Sequence, residues 1–125
     1  MMVTWAEYLV GILGKILESY SILTKLNDKP GDLVIIEKEL LKITGFFNVV
    51  VRKLNSDKYD SKDLFELKPR IEEYLNTYYF EKEIKTMSSL YSDDTNRIKN
   101  IRLKILESFE DKKLISRIQD TIDDL

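Results

Sequence analysis

The sequence contains no cysteine and no histidine, two prolines, four glycines and a single tryptophan. Without Cys or His there is no thiolate nucleophile, no Ser–His pair, no imidazole base and no zinc site built from the usual ligands. A disulfide is excluded as well, which points to a reducing compartment. An excess of one charge is also missing: 20 Lys and Arg stand against 22 Asp and Glu, a net charge of −2. That is far from the basic balance of a free-standing nucleic-acid binder, so any such binding must use a local patch or a larger assembly. Long hydrophobic runs are absent, the longest uncharged stretch being the nine residues Ile43 to Val51. Such a run is too short to cross a bilayer, and the first residues, Met1 to Glu7, carry no basic segment of a signal peptide. The expectation is a cytoplasmic protein without a membrane partner.

What is present suits one domain spanning residues 1–125. A chain of this length buries roughly two-thirds of its unfolded surface and needs no staple. Pro30-Gly31 and Pro69 are the two firm breaks. Before the first break Trp5, Leu9, Ile12, Ile16, Tyr20 and Leu23 recur at helical spacing, which predicts a helix from about Val3 to Leu26. Gly11 and Gly14 lie within it and are read as points of close helix packing. Asp32 is placed to cap a second helix, in which Leu33, Ile36, Leu40, Ile43, Phe47, Val50 and Leu54 keep the period to Asn55. The β-branched run after Phe46 competes for strand, but the period favours helix.

A polar loop is expected from Asn55 to Asp63, then a short helix from Ser61 to Leu67. Lys68 precedes proline and is pushed out of the α region, so Pro69 should begin a new helix. In that helix the apolar side changes near Glu81, which predicts a kink. Asp93, Asp94 and Thr95 offer caps for a helix carrying Ile98, Ile101, Ile105 and Phe109, and a last helix should start near Asp111. The fold class is therefore all-α, a single bundle of about five helices with short connections. The near-repeat of Lys15–Tyr20 in Lys104–Phe109 does not extend and is read as coincidence.

Carboxylates are the remaining catalytic groups, and most stand in adjacent pairs that diverge by about 100° on a helix. Asp120, Asp123 and Asp124 gather at the C-terminal end, where helix carbonyls disfavour acids. This end is expected to fray rather than to hold a metal, and no metal, cofactor or enzymatic activity is expected. Gly11-Ile12-Leu13-Gly14 has the spacing of a KH-domain loop, but its middle residues are apolar and lie in a helix. Tyr74, Tyr78 and Tyr79 could stack bases, yet beside Ile71 and Leu75 they read as core. Basic residues do segregate: seven against four acids from Lys42 to Arg70, and Arg97, Lys99, Arg102 and Lys104 with no acid between them. Such patches can follow a phosphate backbone without reading bases.

The order of features in Glu39–Tyr79 resembles the small helical subunit of type III CRISPR effector complexes. The resemblance is carried by the aromatic helix Glu39-Leu40-Leu41-Lys42 to Arg52-Lys53-Leu54 and by Leu64-Phe65-Glu66-Leu67-Lys68-Pro69-Arg70. It implies a non-catalytic subunit that stacks on copies of itself and on larger subunits, with Arg52, Lys53, Lys68 and Arg70 on guide or target RNA. The sequence departs from that family at Val34–Lys38, where many members have a Ser/Thr-Gln-Ile-Arg tract. A second likeness, through Arg97, Arg102 and Lys104-Ile105, is to the helical domain of archaeal GINS replication subunits, which implies a scaffold. A viral or plasmid accessory protein docking on a host complex is the third reading.

Overall fold

The computed structural model describes residues 4–111 and 113–125. Six helices follow one another: α1 (Trp5–Lys25), α2 (Asp32–Ser56), α3 (Lys62–Thr77), α4 (Glu81–Leu90), α5 (Thr95–Glu110) and α6 (Leu114–Asp124), with no strand among the described residues. The all-α bundle is therefore observed, with six helices rather than five. Three helices start with a side-chain cap: Thr4 accepts from the Glu7 amide, Ser61 from Leu64 and Asp94 from Arg97. Each satisfies one of the donors that a helix start leaves unpaired.

The long pair α1 and α2 forms the frame. The Trp5 indole N–H reaches Asp57 at 2.6 Å, so the start of α1 lies beside the end of α2 and the two run antiparallel. Phe47 of α2, Tyr74 of α3 and Phe109 of α5 meet at the centre, their ring centroids 4.9 to 6.2 Å apart. Around them pack Leu9, Leu13, Ile16, Ile36, Ile43, Leu64, Leu67, Ile71, Ile105 and Ile118, all fully buried. The period-3.6 stripes of the sequence are thus the core faces. Helix α6 lies chiefly on α3, where Arg117 donates to Glu66 at 2.8 Å.

Four local expectations are corrected. Asp32 does not cap α2: Gly31, at φ 97°, holds the cap position, and the buried Asp32 carboxylate accepts from the amides of Asn27 and Lys29 in the preceding loop. Pro69 does not start a helix but sits inside α3. It deprives the Phe65 carbonyl of a partner. Both Phe65 and Pro69 are exposed, so water can take the place of the missing N–H, while Leu64, Leu67, Ile71 and Tyr74 hold the other side in the core. The kink near Glu81 is a complete break at Tyr78–Phe80, where Phe80 is buried and the Tyr78 hydroxyl donates to Asp111. Finally, Gly11 and Gly14 are not points of close packing, because a Cβ at either would meet nothing within 4 Å.

The last helix starts at Leu114, after Lys113 turns the chain with φ 54°, and runs through Asp124. No helix among the described residues is long and apolar enough to cross a membrane.

Candidate nucleic-acid interface

The basic residues singled out in the sequence fall on different parts of the surface. Arg52 is exposed at the end of α2 and lines a shallow depression of about 300 Å³ with Tyr8, Val49, Lys53 and Ser56. Lys53 is engaged there: it pairs with Asp57 at 3.0 Å and lies over the Tyr8 ring, 5.4 Å from its centroid. The same lysine, and then the Trp5 N–H, hold the Asp57 carboxyl below its usual range. Lys68 is half-buried on α3. Arg70 lines a separate small cavity of about 150 Å³ with Glu73, Tyr74, Tyr78, Ser108 and Asp111.

Arg102 has a structural engagement. Its guanidinium grips Asp28 through two parallel hydrogen bonds of 2.6 and 3.0 Å and donates a third, at 3.3 Å, to the Leu23 carbonyl. The two side chains are 12% and 15% exposed. Asp28, at φ 63°, is thereby tied from the α1–α2 loop to α5. Charge-assisted bidentate pairs of this kind are strong and directional, and Asp28 raises the Arg102 pKa further. With most of its donors spent inside the molecule, Arg102 offers little to an external phosphate.

Arg97 and Lys104 of α5 face α4, whereas Lys99 is not among the residues that line the space between the two helices. Helix α4 rests chiefly on α2, and between it and α5 lies an open groove of about 630 Å³. Lys82 enters it from α4, Arg97 and Lys104 from α5, with Asn100 between them and Tyr79 and Tyr91 at its edges. Arg97 pairs with Asp94 at 3.3 Å and lays its guanidinium over the Tyr91 ring, 3.8 Å from the centroid. Lys104 reaches across to Glu83 at 3.4 Å, a pair in which both side chains are about half exposed. Exposed pairs like these are worth ~0–1 kcal/mol and exchange readily for another anion. Lys82 and Lys99 are exposed and make no ion pair with a described residue. Lys82 and Tyr91 belong to none of the basic or stacking groups of the sequence, and Tyr79, which could stack bases, reads there as core. Their convergence depends on the Tyr78–Phe80 break, which turns α4 toward α5 and has no Gly or Pro to announce it.

Of the three tyrosines read as core, Tyr74 is buried and its hydroxyl is pushed up to about 12, chiefly by that burial. Tyr78 is half-buried, but Tyr79 is 74% exposed. The acidic C-terminus forms no metal cluster: among the described residues no three Asp or Glu side chains are placed to hold an ion. Instead Asp124 shares a proton-favouring contact with Asp63 of α3, which pushes its carboxyl above the usual range. Comparison with protein-family models, curated proteins and solved structures finds no match to this chain.

Proposed function

We propose that the chain is a non-catalytic helical subunit of a larger cytoplasmic assembly and holds the sugar-phosphate backbone of RNA along the α4–α5 groove. The observation that carries this reading is the convergence of Lys82, Arg97 and Lys104 from two helices on one open groove. Three cations meet two acids there, Glu83 and the Asp94 that pairs with Arg97, so the groove is locally positive by about one charge on a molecule whose net charge is −2. A phosphate chain can replace the labile carboxylate partners and release its own counterions, which gives salt-sensitive binding without base readout. The resemblance of Glu39–Tyr79 to the small subunit of type III CRISPR effector complexes supports the same assignment, with copies of the chain and larger subunits as partners. In that assembly the depression at Arg52 and Lys53 is a second backbone contact.

Binding of labelled RNA at low and moderate salt tests the proposal. Lys82→Gln and Lys104→Gln should each weaken binding across all sequences, whereas Arg102→Ala should leave the affinity of the folded protein unchanged. Absence of salt-sensitive binding, alone and with partner subunits, would refute it.

A further inference from the structure

We infer that the α4–α5 groove takes a single strand rather than a duplex, holding unpaired bases against Tyr79 and against the Tyr91–Arg97 stack. This rests on the RNA-binding reading above and narrows it to one form of RNA. A groove that only followed phosphates would need cations alone. This one also presents flat surfaces: Tyr79 is 74% exposed at its edge, and its ring stacks on no other aromatic ring among the described residues. At the other edge Arg97 covers one face of Tyr91 while pairing with Asp94, and its side chain is 52% exposed. A guanidinium supported by a ring is a planar platform on which a base can lie.

Base faces are hidden inside a duplex and available only in unpaired strands, so such platforms favour single strands. Between the platforms Asn100 supplies a donor and an acceptor for a base edge, while Lys82 and Lys104 meet the phosphates. The rings and the plane of the guanidinium select the unpaired form, while the two lysines and the charge of Arg97 hold the backbone.

The test uses a labelled RNA of about sixteen nucleotides of mixed sequence, within the range of single-strand sites, and the same strand annealed to its full complement. The single strand should bind about tenfold tighter than the duplex or better, since stacking contributes several-fold per base. Tyr79→Leu, an exposed position, should weaken the single strand about fivefold or more and leave the duplex unchanged. Arg97→Lys should do the same, because it keeps the charge and loses the plane. Glu83→Gln, which frees Lys104, should tighten both forms. Equal binding of strand and duplex, with Tyr79→Leu silent, would overturn this inference and leave backbone binding standing. Failure of both RNAs to bind would overturn the two together.

Discussion

The Arg102–Asp28 clamp should be worth far more than any other ion pair among the described residues. Exposed pairs contribute ~0–1 kcal/mol, whereas breaking a fully buried pair costs ~3–5 kcal/mol because a charge is left uncompensated. Here the side chains are 12% and 15% exposed, the geometry is bidentate and Leu23 accepts a third bond. Arg102→Ala should therefore cost about 2–3 kcal/mol, between those limits. Asp28→Asn is the better partner variant, since Asn tolerates the left-handed backbone at φ 63°, and it should cost about 1–2 kcal/mol. Urea unfolding followed by far-ultraviolet circular dichroism gives both values and, with the double variant, their coupling, expected at about 1 kcal/mol or more. Loss of less than ~0.5 kcal/mol on Arg102→Ala, the range of an ordinary surface change, would refute the clamp and return Arg102 to the pool of available cations.

Other perturbations have defined directions. Gly11→Ala, Gly14→Ala and Gly45→Ala should each stabilise the protein by about 0.5–1 kcal/mol, because the helices gain propensity and the added Cβ meets no atom within 4 Å; a lowered melting temperature would expose a hidden contact. Glu39 is 3% exposed, and only one of its oxygens has a partner, Lys42. Glu39→Met should thus raise stability by about 1 kcal/mol in the same urea assay. Tyr74 contributes to the pH dependence at the alkaline end. Its folded pKa of about 12 lies above the ordinary 10, so its contribution is fully present below pH 10 and is lost as the pH rises toward 12. That loss amounts to roughly 2–3 kcal/mol, and Tyr74→Phe should flatten this part of the stability–pH curve.

The helices were legible because their core stripes are written as residue spacing: Leu9 to Leu23, Leu33 to Leu54 and Ile98 to Phe109 are the buried faces they were read to be. What spacing cannot show is where a breaker falls relative to solvent. Pro69 sits on the outer side of α3, where water can satisfy the carbonyl it leaves unpaired, so a strong local signal is overruled by the core on the opposite side. Tyr78–Phe80 fails in the other direction. No turn residue stands there, yet burial of Phe80 and the bond from Tyr78 to Asp111 stop the helix. The groove depends on that break, so only half of it, Arg97 and Lys104, stood out as part of a basic stretch. Arg102 shares that stretch and points inward, because adjacent cations on a helix face different neighbours.

The central claim is that Lys82, Arg97 and Lys104 hold an RNA backbone. Its most direct test is the salt dependence of single-stranded RNA binding, measured for the wild type and for Lys82→Gln. With about three phosphate contacts the logarithm of affinity should fall with the logarithm of salt at a slope near −2. Removing Lys82 should reduce that slope by about 0.7 at every base composition. A slope unchanged by Lys82→Gln, or binding indifferent to salt, would contradict the account.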